Sequence, residues 1–375
     1  MTFRKNRVRG SGPDYFSDIS MRNTTGFTLG GTNVIVTGNL VTGTTQGGII
    51  TQGSQNVAVT CNTIHDLVNE HGLYPDTGLS AVVVSGNVIR NTGRHGTGIK
   101  VQLYDGFGLD ANNINITGNS VYSSGNTAIC VINTAPLPQR ATSAVSVTGN
   151  SVYAAGQDGI SLRYVRGAAV CGNSVYSSGR HGYEFIGCGG VTGTGNTTMN
   201  AEECGIFDAA SGDMTYVGNT IINPGAGLRG VDYQVGIFVQ DGTEHFIASN
   251  VVRGTESMSY AMWIAQGGES LTVIDNALSG GAEPSLRLHG GQIRFLLPGP
   301  MSSAQGDDAI YNLPSDLQRG TMPGELFGAA APTSGTWRQG SRVHSLYPAP
   351  GGPMGWVCVN GGSPGGWRPF GRVET

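Results

Sequence analysis

Asparagine returns along this chain at a spacing that an ordinary globular fold has no reason to keep. Asn39, Asn62, Asn87, Asn119, Asn150, Asn173, Asn196, Asn219, Asn250 and Asn276 are separated by 23, 25, 32, 31, 23, 23, 23, 31 and 26 residues. The base period is 23, and three intervals carry insertions of 8 or 9. Seven of the ten follow a glycine, as in Val36-Thr37-Gly38-Asn39 and Thr148-Gly149-Asn150, and Cys61-Asn62, Ser249-Asn250 and Asp275-Asn276 are degenerate copies. A unit this short cannot bury a hydrophobic face alone, so the units must stack as a solenoid.

The coils are built of strands. Val145 and Val147 alternate with Ser146 and Thr148, a period of two. Gly and Asn tolerate left-handed backbone geometry and turn the corner after such a run. With coils ~4.8 Å apart, each asparagine falls above the last, and the amides form a hydrogen-bonded file. A leucine-rich solenoid needs several leucines per repeat, which this chain lacks, and no window carries a useful 3.6-residue period.

Composition agrees and excludes alternatives. Glycine makes up 62 of 375 residues, and charged residues only 12%, about half the usual ~25%. Hydrophobic residues at 38% and a net charge of −4 argue against disorder, and glycine lacks the collagen period. No apolar run approaches ~18 residues, so no membrane insertion is expected. Arg4, Lys5, Arg7 and Arg9 precede no apolar stretch, so no signal peptide is expected. The near-neutral balance argues against a nucleic-acid partner. Cys61, Cys130, Cys171, Cys188, Cys204 and Cys358 form no metal-binding spacing and read as buried thiols. No cofactor and no metal site is expected.

The recurring Thr-Gly-Asn-Ser-Val-Tyr and Gly-Ile-x-Val phrases resemble the right-handed parallel β-helix of pectate-lyase-like proteins. The C-terminal runs Gly335-Thr336-Trp337-Arg338-Gln339-Gly340, Gly352-Pro353-Met354-Gly355-Trp356-Val357-Cys358-Val359 and Gly366-Trp367-Arg368-Pro369-Phe370-Gly371 resemble the tail end of phage tailspikes. The expected fold is all-β: a right-handed parallel β-helix of about ten coils over 14–298, with a small C-terminal β module. Residues 1–13 read as an N-terminal arm, 299–334 as an irregular linker punctuated by proline, and 335–375 as the Trp-rich β module. The resemblance implies a homotrimer on a virion tail, acting outside the cell on a bacterial surface polysaccharide, capsule or O-antigen. The fold also hosts lyases, epimerases and non-enzymes, so the chemistry must come from the site.

Insertions on a solenoid map to loops beside a binding face; here they fall within 88–118, 120–149 and 220–249. Alternation after each Gly-Ile step predicts one outward column: Lys100, Cys130, Ser161, Glu184, Phe207, Phe238, Trp263 and Arg287. It runs from a polar centre into aromatics on which sugar rings stack. Asp158 and His181 precede glycines in a flanking column. Glycoside hydrolysis needs two carboxyl groups ~5–5.5 Å or ~6.5–9.5 Å apart. Glu184, Asp208 and Asp158 lie on consecutive coils and are the expected catalytic set. Asp208 follows Phe207, so strict alternation would bury it; either the strand bulges there and Asp208 faces out, or it is paired inside. Lys100, Arg163, His181, Phe207, Phe238 and Trp263 are the expected substrate-binding residues. Two alternatives remain: a lyase on a uronate polymer, using a cation and a base such as Lys100, Arg163, Arg180, His181 or Tyr164, and a non-catalytic glycan-binding spike.

Overall fold

The computed structural model describes residues 2–4, 7–9, 19–20, 31–44, 47–52, 54–76, 80–103, 110–134, 142–227, 233–265, 269–282, 286–288, 292–297, 301–302, 325–333, 337, 339–362 and 364–374. Each coil contributes one short strand to each of three sheets, and strands within a sheet pair in parallel with the coil before and after. The sheets hold 12, 12 and 11 strands, so the parallel β-helix has about two coils more than the ten asparagines mark. Among the described residues no helix is long and apolar enough to cross a membrane.

Alternation decides what fills the interior. Within Thr142–Thr148 of the first sheet, Val145 and Val147 are buried; Val152 of Ser151–Ala155 in the second and Ile160 and Leu162 of Ile160–Arg163 in the third join them in one continuous core. Repeating valine and isoleucine at each level lets identical β-branched side chains stack coil on coil.

The corner between the first and second sheets carries the asparagines. Asn150 donates from its backbone N and Nδ2 to Asn173 Oδ1 at 3.0 and 2.9 Å. Asn173 donates likewise to Asn196 Oδ1, and its second amide hydrogen goes to Val147 O at 2.8 Å. The same links join all ten residues from Asn39 to Asn276. The residue before each rung has positive φ. Gly149 is at 62°, and a Cβ there would meet nothing within 4 Å, so glycine serves the backbone rather than the space. Cys61, Ser249 and Asp275 take the same conformation, at 54°, 54° and 48°. A second glycine file works oppositely: a Cβ on Gly72 would lie 2.6 Å from both Gly98 O and Ile89 Cγ2.

The solenoid exceeds the expected 14–298. Thr2–Arg4 pairs with Gly31–Thr37 and Arg7–Arg9 with Leu40–Thr42, so part of the expected arm is the first coil. Its Arg7-Val8-Arg9 alternation is strand pattern; the missing Gly-Asn pair hid it. Met301–Ser302 adds a strand at the other end. The rest of the expected linker falls largely outside the described residues, as do 104–109, 135–141 and 228–232 within the three insertions. Glu325–Gly328 joins Arg342–Ser345, Pro353–Asn360 and Gly366–Arg372 in a four-stranded sheet, parallel in its first pair and antiparallel thereafter. Trp337 and Trp367 meet edge-to-face there at 5.1 Å. All six cysteines are unpaired, and Cys61 is exposed rather than buried.

Candidate functional site

The outward column of the third sheet follows the expected register. Lys100 pairs with Cys130, then Ser161, Glu184, Phe207, Phe238, Trp263 and Arg287 in unbroken succession, and Tyr74 precedes Lys100. From Tyr74 to Arg287 this is eight steps, about 38 Å at ~4.8 Å each.

Its middle is an ion cluster. Glu184, on the strand Tyr183–Ile186, is fully buried. Its Oε2 accepts from Ser161 Oγ at 2.6 Å and from Arg163 Nε at 2.8 Å, and its Oε1 accepts from Arg163 Nη2 at 3.1 Å and Arg180 Nη2 at 3.3 Å. Asp158 lies one coil away at the turn before Gly159. It accepts from Thr127 Oγ1 at 3.3 Å and the His181 amide at 3.4 Å, and faces Arg180 Nη1 at 3.7 Å. Burial first, and the Glu184 charge second, push the Asp158 carboxyl up to about 6. Arg180 also approaches Glu203 at 3.8 Å. Both arginines are about one-third exposed and form the solvent side of the cluster.

His181 is buried and stacks on Phe207 at 4.4 Å. Its Nδ1 accepts the Cys204 N–H at 3.2 Å, and its Nε2 lies 3.1 Å from Arg180 Nη2 and 3.5 Å from Glu203 Oε2. Burial and the flanking Arg180 and Arg163 hold its pKa well below the ordinary value, so the ring is neutral. One ligand atom each of Asp158, His181 and Glu184 lies within 4.8 Å of the others. That triad does not suit a metal, because Arg180 already supplies the cation, its guanidinium 3.1 Å from His181 Nε2, 3.3 Å from Glu184 and 3.7 Å from Asp158.

Other expected residues stand apart. Lys100 is three coils from Glu184; its Nζ lies 3.3 Å from His71 Nε2 and 5.0 Å from the Tyr74 ring centre. Burial and Lys100 depress His71 to about 3. Beyond Glu184, Phe207 and Phe238 stack at 5.5 Å, and Trp263 meets Phe238 edge-on at 5.0 Å. Phe238 is only 2% exposed, so it supports Phe207 and Trp263 rather than offering a sugar its own face. Arg287 closes the row, its guanidinium 4.3 Å from the Trp263 ring centre.

Asp208 corrects the expected catalytic set. It alternates strictly within Ile206–Ala209, points into the solenoid, and accepts from Tyr216 Oη at 2.7 Å and His245 Nε2 at 2.8 Å. There is no bulge, and the carboxylate is paired inside because Tyr216 and His245 supply donors from neighbouring coils. Arg180 and Glu203 complete the cluster, and Arg180 lies in a Gly-Arg-His-Gly tetrapeptide that occurs at 93–96 and again at 179–182. The copies differ in register: His181 is buried before the third sheet, whereas His95 is exposed and Thr97 holds the equivalent place.

The profile described as "Right handed beta helix region" matches residues 1–137 and 139–293. The chain belongs to the right-handed β-helix family. No curated protein matches it in sequence. Two similar crystal structures share the fold. One is PfbA, a surface adhesin of Streptococcus pneumoniae, at 14% identity and TM-score 0.52, covering 75% of this chain and 74% of that one. The other is a GH136 lacto-N-biosidase from Eubacterium ramulus, at 12% identity and TM-score 0.50, covering 72% of this chain. This β-helix protein spans about half of the biosidase's length, 51%.

Proposed function

We propose that the protein binds a bacterial surface polysaccharide along the outer face of the third sheet and hydrolyses it within the chain, with Asp158 as general acid and Glu184 as nucleophile. The carrying observation is a pair of carboxyls on adjacent coils with oxygens within 4.8 Å, one of them raised to about 6 and so protonated under mildly acid conditions. That spacing resembles the ~5–5.5 Å of double displacement more than the ~6.5–9.5 Å that leaves room for a water. Phe207, Trp263 and Arg287 extend the track to one side and Lys100 with Tyr74 to the other, as an endo-acting enzyme requires. Arg163 and Arg180 lie over the acids and must swing outward when a sugar docks.

Uronate elimination is less well supported, because both guanidiniums that would neutralise the substrate are engaged by Glu184. A non-catalytic reading is favoured by one observation, that the two carboxyls are sealed, Glu184 at 0% and Asp158 at 1% exposure; one structural neighbour is an adhesin. The tailspike role, with a homotrimer on a virion tail acting at the bacterial surface, rests on the C-terminal tryptophan motifs.

The experiment incubates the full chain with purified capsule and O-antigen polysaccharides and follows reducing ends, polymer size and product anomers by NMR. Reducing ends with retained configuration support the proposal. Products with a new unsaturated uronate, or bound polymer of unchanged size, defeat it. Light scattering checks the trimer, and a monomer at micromolar concentration overturns it.

A further inference from the structure

We propose that the outer face of the second sheet is a separate binding strip for a neutral glycan, independent of the ion cluster on the third. Ser-Val-Tyr occurs at 120–122, 151–153 and 174–176, on three consecutive coils. The register places Ser120, Ser151 and Ser174 in one file and Tyr122, Tyr153 and Tyr176 in the next. Only the valines face the core, so the fold constrains only the middle residue of each triplet. The serine and tyrosine are repeated without a packing need.

Outward rings cost solubility, yet Tyr122, Tyr153 and Tyr176 are 40%, 49% and 39% exposed. Tyr153 and Tyr176 lie parallel with centroids 5.2 Å apart, Tyr122 and Tyr153 are 6.3 Å apart and tilted by 40°, and Arg90 caps the lower end 5.5 Å from the Tyr122 centre. Rings that brace one another are already ordered, so binding sacrifices little side-chain freedom. Tyr153, closely stacked on one side only, sits at the centre.

A pyranose offers an apolar C–H surface and a hydroxyl edge. The tyrosine file suits the first, and the serine file, two residues away on the same face, suits the second. No charged residue stands in either file at these three levels, and the nearest, Arg90, is engaged on the Tyr122 ring at the lower end, so the strip itself suits a neutral sugar. Size separates a glycan from a second copy of the chain. Tyrosine rings of roughly 150–250 Å² at these exposures offer about 190–320 Å² together, well under the ~800 Å² per partner of a stable protein interface.

The test is affinity electrophoresis of the full chain in gels cast with laminarin, galactomannan or dextran, comparing the parent with Tyr153→Ser and with Tyr122→Ser/Tyr153→Ser/Tyr176→Ser. Light scattering gives the mass of each protein and circular dichroism its fold. The parent should be retarded in at least one of these gels, the single variant should bind about tenfold more weakly, and the triple variant should run unretarded at unchanged mass. No retardation of the parent in any neutral gel, or equal retardation of parent and variants, overturns the proposal. A triple variant of lower oligomeric mass also overturns it and makes the rings a subunit contact. If the triple variant does not fold, Tyr153→Ser decides alone.

Discussion

Ser161 donates to Glu184 across one coil at 2.6 Å, and the hydroxyl reaches the same oxygen that takes Arg163 Nε. The carboxylate is thereby fixed in direction before any ligand arrives. Glu184→Gln should lower the rate of reducing-end formation about 10³-fold while leaving polysaccharide binding within a few-fold. Ser161→Ala should lower kcat about tenfold with little change in KM, since it only loosens the aim.

Asp158 ties activity and stability to pH. Folding raises its pKa from the ordinary 3.8 to about 6, so the native state binds the proton more tightly than the unfolded chain. That contribution is full below about pH 4 and is lost as pH rises through about 6. Melting temperatures at pH 4.5 and 7.5 should show Asp158→Asn gaining on the parent at the higher pH. In its proposed role as general acid, Asp158 should also make kcat/KM of the parent fall above about pH 6 in a pH–rate profile.

Asp208 makes the opposite prediction. His245 lies 2.9 Å from Thr243 O and 2.8 Å from Asp208 Oδ2, and Tyr216 Oη donates to the same carboxylate oxygen at 2.7 Å. Leaving such buried polar groups without their partner costs about 1–3 kcal/mol each. Asp208→Asn should therefore lower the melting temperature, yet at a temperature where it stays folded its turnover should match the parent. A thermal melt paired with a rate assay separates the two roles.

The asparagine file should be costly to break at a middle rung and at its last one alike. Asn173→Ala strips partners from Asn150 N and Nδ2, Asn196 Oδ1 and the carbonyl of Val147. Several buried groups at about 1–3 kcal/mol each should cost ~3–5 kcal/mol in a denaturant titration. Asn276→Ala, at the last rung, strips the acceptor from Asn250 N and Nδ2 and the donor from Ile247 O and Ile274 O, so it should cost about as much.

The fold and the third-sheet column were legible because stacking turns sequence period into spatial register. Lys100 through Arg287 could be placed on one face by counting alone. The first coil escaped notice because Arg7-Val8-Arg9 comes without its corner phrase. Burial was not readable from alternation: an outward residue such as Glu184 or Phe238 is still sealed when its neighbours lean over it. Asp208 needed His245, 37 residues on, in a coil whose Ser249-Asn250 corner is a degenerate copy. Arg180 was obscured because an identical tetrapeptide takes another register at Arg94.

The unbroken file of asparagines makes distance in this molecule a matter of whole numbers. Duplicating a 23-residue unit elsewhere would lengthen the rod and leave every rung served from above and below. Duplication between Asp158 and Glu184 would be equally stable and would move the two acids apart by one full rung, beyond each other's reach. The solenoid can therefore take added rungs on either side of that seam and not across it.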